Sequence, residues 1–186
     1  MKKNKTVYIG LSADALHHGH MGLLEKARDY GDIIIGLFTD EAIATFKRLP
    51  YLNYEQRKKI LLNFKGVKKV IPQEVHDYSH NLKKIKPDFM IHGDDWKTGY
   101  MKEFRKNCLK VLDSYGGKLI EVKYTKGVSS SAFIDQLNSI TITPDIRRAT
   151  LKRLIDTKKI SRFIESHNPI SAIIAENTYY EKNGKR

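Results

Sequence analysis

Five short, nearly continuous apolar runs, each followed by a stretch with helical spacing, constrain this chain more than any other feature. The runs are "TVYIGL" (6–11), "DIIIGLF" (32–38), "KKVIPQ" (68–73), "DFMIHG" (88–93) and "KLIEVKY" (118–124). A strand in a half-exposed sheet alternates apolar and polar residues, whereas a strand covered on both faces reads as an unbroken apolar run. Strands of that kind separated by helices imply a parallel sheet with helices on both faces and right-handed crossovers. The expected fold class is therefore α/β, a Rossmann-like doubly wound sheet of five strands. In the order 3-2-1-4-5 the first and fourth strands lie side by side where the winding reverses. Ligands of such sheets sit outside the carboxyl ends of the strands at that point.

The helical stretches carry their own signals. A helix is expected from about His20 to Tyr30, and a short one over "TDEAIATF" opened by Thr39 or Asp40. Asn53, with Gln56 three residues on, makes a capping box for "NYEQRKKILLNF". Further helices are expected over "HDYSHNLKKIK", over "GYMKEFRKNCLKVLDSYGG" and from "SSSAFIDQLN". From about residue 138 the pattern changes to an extended piece. It turns helical at Thr143-Pro144, a cap followed by proline at the first helical position, with apolar residues but no strands to pack on.

The residues with most chemistry in them cluster at expected strand ends. After the first strand comes "LHHGH", three histidines and a glycine where a helix begins. A helix start offers unpaired N–H groups and a partial positive charge, which together hold phosphate. Gly19 allows close approach of the backbone, and His17 and His20 can donate to phosphate oxygens. A chance cluster of surface histidines and a metal set of His17, His18 and His20 are the rival readings. After the fourth strand, "GDDW" offers Asp94 to a ribose and Trp96 as a flat apolar wall, or else helix-capping aspartates. Asp14 is a carboxylate on the opposite side of the crevice that could complete a magnesium environment, or a turn residue. "TKGVSSS" places Gly127, Ser129 and Ser130 at another helix start. Lys47, Arg48 and Arg57 near the second strand end would, if a triphosphate lay near them, neutralise its leaving pyrophosphate, or else simply sit on the surface.

Composition narrows the class. The chain has 186 residues, 40% hydrophobic and 30% charged, enough for one ordinary domain with an appendage and too apolar for disorder. No apolar run reaches the roughly 20 residues of a membrane span, and the start lacks the pattern of a secretory leader. Cys108 is the single cysteine, so an internal disulfide is impossible and the cytoplasm is the expected compartment. The net charge of +13 is spread along the helices. It reads as a solvated face and not as a nucleic-acid ribbon, so neither nucleic acid nor a membrane is an expected partner.

Together, "DALHHGH", "TDE" (39–41), "YEQR" (54–57), "GDDW" (93–96) and "YTKGVSSS" (124–131) resemble the HxGH nucleotidyltransferase superfamily, and within it the glycerol-3-phosphate cytidylyltransferase-like branch. The resemblance spans residues 5–136. Two departures are plain: the branch's loop arginine falls at Tyr124 and its glutamate at Lys126. The resemblance implies CTP as co-substrate with Mg²⁺, transfer of CMP to a small phosphonate or phosphate acceptor, and a homodimer. It implies catalytic roles for His17, His20, Lys47 and Arg57. Nucleotide contacts fall to Leu11, Gly19, Asp94, Trp96, Gly127, Ser129 and Ser130, and a metal contact to Asp14.

The stretch "RRATLKRLIDTKKISRFIESHNPISAIIAEN" is similar to the opening of phosphoenolpyruvate mutase. The expected division is a cytidylyltransferase-like unit over 1–136, then 137–186 as a linker and the truncated start of a mutase-like region. That neighbour suggests 2-hydroxyethylphosphonate as acceptor. Glycerol 3-phosphate, choline phosphate, ATP-dependent transfer by a related enzyme and a non-catalytic nucleotide-binding module are the alternatives.

Overall fold

The computed structural model describes residues 4–97, 99, 101–123, 144–158, 160, 161 and 163–178. The expected helix from "SSSAFIDQLN" and the cap at Thr143 lie outside the described residues. Five strands, β1 (Thr6–Leu11), β2 (Asp32–Phe38), β3 (Val67–Gln73), β4 (Phe89–Gly93) and β5 (Lys118–Val122), form one sheet in the order 3-2-1-4-5. Every pairing is parallel, with Val7 opposite Ile33 on one side and Phe89 on the other. The switch point between β1 and β4 is where the apolar runs placed it.

The crossover helices are α1 (His18–Arg28), α2 (Asp40–Ile43), α3 (Tyr54–Leu62), α4 (Ser79–Ile85) and α5 (Met101–Asp113), with a 3₁₀ turn at Asp94–Lys97. Strand residues alternate between two cores. Val7, Ile9, Ile33, Ile35 and Ile91 meet Leu24, Ala27 and Leu61 on one face. Tyr8, Met90, Phe38 and Leu82 meet Trp96, Cys108 and Leu112 on the other. Each such aliphatic side chain contributes about 1.5–3 kcal/mol by leaving water, which is why runs of isoleucine settle at the sheet centre. The Cys108 thiol is buried there, and burial pushes its pKa up to about 12. Asn53 and Gln56 form the expected capping box, each side-chain oxygen 3.0 Å from the other's backbone nitrogen.

Two strand glycines make room for tyrosines. A side chain at Gly36 would collide with the Tyr8 hydroxyl, and one at Gly10 with the Tyr78 ring. Tyr8 donates to the Gln73 side-chain oxygen, which also accepts from Asn81 Nδ2 at 2.7 Å. These buried polar groups thus satisfy one another, as a low-dielectric core requires.

Beyond the sheet lie α6 (Pro144–Thr157) and α7 (Pro169–Asn177). No residue of α6 is buried, and Ile160, Phe163, Ile164, Ile170 and Ile174 are all exposed. The helical appendage expected from the sequence is present, with most of its large apolar residues exposed.

Candidate active site

The site begins where β1 stops. Leu11 is buried at the strand end, and Ala13 follows with φ of 51°, a left-handed backbone that a non-glycine residue adopts at a cost. The Ser12 carbonyl accepts from Arg57 Nη1 at 2.6 Å, which helps hold the turn in that shape. Strain held in place by surrounding bonds is a feature of functional loops.

The chain then straightens at His17, whose φ and ψ of −139° and 172° make it the extended cap of α1. The helix therefore starts at His18, two residues earlier than expected. Gly19 lies in its first turn, where N–H groups lack helical acceptors. His20 Nδ1 accepts from the His17 backbone N–H at 3.3 Å, and the two rings lie 4.0 Å apart. Burial, then His17 and the Lys47 cation, lower the His20 pKa to about 4. Burial and His18 also lower that of His17. His20 is consequently neutral at pH 7, and because Nδ1 accepts, its proton resides on Nε2 as a donor. His17 Nδ1 is buried and has no hydrogen-bond partner among the described residues. His18 is exposed, and among the described residues no group of His, Cys, Asp and Glu is arranged to hold a metal ion. This geometry gives no support to the three-histidine metal reading.

Lys47 is half-buried beside His20. Among the described residues its ammonium makes no hydrogen bond or ion pair, and burial lowers its pKa, against the pull of Asp14. A desolvated cation without a partner is costly unless an anion arrives. Arg57 is the opposite case and corrects the expectation that it meets substrate. Its side chain is 0% exposed, with Nε donating to Leu52 O at 3.1 Å and Nη2 to Phe38 O at 2.9 Å and Asp40 Oδ1 at 2.6 Å. It joins the ends of β1 and β2 to the loop before α3, so it shapes the crevice from behind.

Asp14 is likewise spoken for. Its side chain is 2% exposed, with Oδ1 accepting from the Tyr51 N–H at 2.8 Å and Oδ2 from Arg48 Nη2 at 3.0 Å. Those bonds stitch the β1–α1 turn to the loop after α2, a structural use of the carboxylate beside the metal contact expected of it. Asp94 is half-buried at the end of β4. Trp96 is 1% exposed, stacked on His92 at 3.8 Å, and its Nε1–H donates to Glu121 Oε1 at 3.0 Å. It is therefore a packed support below the crevice rather than an open wall. Glu121 also binds Arg105 at 2.9 Å, and this guanidinium, opposed by burial and helped by Trp96, holds the carboxyl pKa at about 2. Gly127, Ser129 and Ser130, with Tyr124 and Lys126, lie outside the described residues.

Two supporting groups escaped the sequence reading. Asp40, expected only as a helix opener, bridges Arg57 and Arg153, and Glu121 gathers Trp96, Lys97 and Arg105. Both depend on contacts far apart in the chain, which no local spacing signals.

Residues 8–136 match the model of the family described as Cytidylyltransferase-like. The chain belongs to this family. Its relatives include the glycerol-3-phosphate cytidylyltransferase of Staphylococcus aureus, 32% identical over 67% of this chain and 88% of that protein. The ethanolamine-phosphate cytidylyltransferase of Dictyostelium discoideum is 31% identical over 73% of this chain, which spans only 37% of that relative. A lipopolysaccharide core biosynthesis protein from Thermoplasma volcanium shares the fold at a TM-score of 0.57 and 20% identity. That match covers 67% of this chain and all 100% of the other. Membership of the cytidylyltransferase-like family makes the chain a nucleotidyltransferase. No described helix is long and apolar enough to cross a membrane.

Proposed function

We propose that the chain transfers CMP from CTP to a small acceptor bearing a phosphonate or phosphate group, releasing pyrophosphate. An acceptor oxygen forms a bond to the α-phosphorus, the bond from that phosphorus to the bridging oxygen breaks, and the electron pair leaves with pyrophosphate. Nothing becomes attached to the protein, so its work is positioning and charge stabilisation. The observation that carries the reading is the Lys47 cation, without a hydrogen-bond or ion-pair partner among the described residues, beside a neutral His20 at the start of α1.

In this reading His20 donates from Nε2, and His17 from its own ring, to phosphate oxygens as charge accumulates. The backbone at Gly19 and the free N–H groups of α1 hold the same oxygens. Gly127, Ser129 and Ser130 would cradle the remaining phosphates, and Asp94 the nucleoside, as the resemblance implies. Leu11 borders the nucleotide at the end of β1. Magnesium is the usual companion of a nucleoside triphosphate and is held largely by its oxygens and water. Each Asp14 oxygen already accepts one hydrogen bond, from Arg48 or the Tyr51 N–H, so a contact with the ion would use its remaining lone pairs.

The acceptor is the finer question. The mutase-like segment over 147–177 supports a phosphonate such as 2-hydroxyethylphosphonate, with residues 1–136 as the transferase unit. Similarity to the Staphylococcus aureus glycerol-3-phosphate cytidylyltransferase supports glycerol 3-phosphate as the second reading. Pyrophosphate release with CTP, ATP, GTP or UTP and Mg²⁺ is the test, run against phosphonates, glycerol 3-phosphate and choline phosphate. CTP-dependent release with one phosphonate, lost in His17→Ala, is the expected result. Release with glycerol 3-phosphate alone sinks the phosphonate reading, and CTP binding without turnover sinks the catalytic one.

A further inference from the structure

Arg153 lies on α6, beyond the segment 8–136 that matches the family, yet it reaches into the region behind the site. Its Nη1 donates to Pro50 O at 2.5 Å and to Tyr51 O at 3.1 Å, while Nη2 donates to Asp40 Oδ2 at 3.0 Å. The other Asp40 oxygen is the one that takes Arg57 at 2.6 Å. One buried carboxylate is therefore gripped by two guanidinium groups, from α3 and from α6.

The segment between Lys47 and Leu52 is the object of these bonds. Arg48 and the Tyr51 N–H are fastened to Asp14, and Leu52 O to Arg57. Arg153 adds a grip from α6 on two successive carbonyls, those of Pro50 and Tyr51. A groove of about 560 Å³ runs between this loop and α6, lined among others by Leu49, Tyr51, Ile146 and Leu151. Packing thus leaves open space between the two elements, and the guanidinium bridges it. A planar fork of fixed donors suits three acceptors at once, which a lysine ammonium on a flexible stem does not reproduce.

We infer that Arg153 is a positioning residue for nucleotidyl transfer: by clamping Pro50 and Tyr51 to Asp40, it fixes the loop that presents Lys47 to the nucleotide phosphates. The inference rests on the cytidylyl-transfer reading above. It makes α6 a working part of the transferase and not a passenger behind it.

The test uses the full chain in five forms: unaltered, Arg153→Ala, Arg153→Lys, Lys47→Ala and the Lys47→Ala/Arg153→Ala double variant. Backbone hydrogen exchange at Tyr51 reads the loop, and KM and kcat for CTP read its use. In Arg153→Ala, exchange at Tyr51 should rise about tenfold, and KM for CTP should rise about tenfold with a smaller change in kcat. Arg153→Lys keeps the charge and serves where the alanine variant folds poorly; it should recover less than half of the loss in log KM. In the Lys47→Ala background, removing Arg153 should add less than about twofold, because one effect acts through the other. Unchanged exchange and KM in a CTP-active chain overturn the positioning role alone, as does full multiplication of the two effects. A chain that neither binds nor turns over CTP overturns the functional reading, and the positioning role with it.

Discussion

Arg57 and Lys47 are both basic, both lie near the end of β2, and both lose solvent on folding, yet they do opposite work. Arg57 has its charge and four of its contacts consumed by Ser12, Phe38, Asp40 and Leu52. Lys47 has none of its donors matched among the described residues. A buried cation saturated by protein acceptors is part of the scaffold, because removing it strands a carboxylate and several carbonyls. A half-buried cation left unmatched stores a desolvation cost that an incoming phosphate relieves. The difference separates what builds the crevice from what waits in it.

The largest expected effect breaks the scaffold half of that contrast. Arg57→Met should lower folding stability by about 3–5 kcal/mol in a denaturant titration, the usual penalty for stranding one partner of a buried pair. Lys47→Met sharpens the other half. It should cut kcat/KM for CTP by about a hundredfold while leaving the melting temperature equal or higher. A fall in Tm comparable to that of Arg57→Met would erase the distinction. Asn53→Ala should cost about 1 kcal/mol by removing the cap of the helix that carries Arg57.

Acidification supplies the gentlest probe. The His20 pKa falls from 6.5 to about 4 on folding, so between those values the unfolded chain binds a proton that the folded chain refuses. Stability is therefore fully present above pH 6.5 and drains away as pH falls toward 4. The slope of melting temperature against pH in that window should flatten in His20→Gln. His17, lowered in the same direction, keeps part of it.

The frame was legible because it is written locally. Apolar runs marked the five strands, of which the central β1, β2 and β4 are the buried ones, and Asn53 with Gln56 announced its helix. The placing of His17, Gly19 and His20 at a helix start could be read too, since they are neighbours in sequence. Arg57 and Trp96 were misjudged for a shared reason: each carries groups suited to a ligand, but partners 17 and 25 residues distant claim them. Asp14 was claimed by Tyr51, 37 residues away, and Asp40 by Arg153, 113 away. Residue type states what a side chain is able to bind, and only the fold decides whether a protein group has bound it first.

The tyrosines seated against strand glycines carry a consequence for how sequences of this kind can drift. Gly36 yields its place to the Tyr8 hydroxyl and Gly10 to the Tyr78 ring, and the two rings touch edge to face with centroids 6.3 Å apart. Enlarging either glycine first meets an aromatic wall, whereas trimming either tyrosine first opens a cavity, and loss of the Tyr8 hydroxyl also removes a bond to Gln73. Neither single step is neutral, so the four positions should change hands together or not at all. They form a historical lock: descendants that leave it must cross a less stable intermediate, and those that keep it inherit the same slots at the heart of β1 and β2.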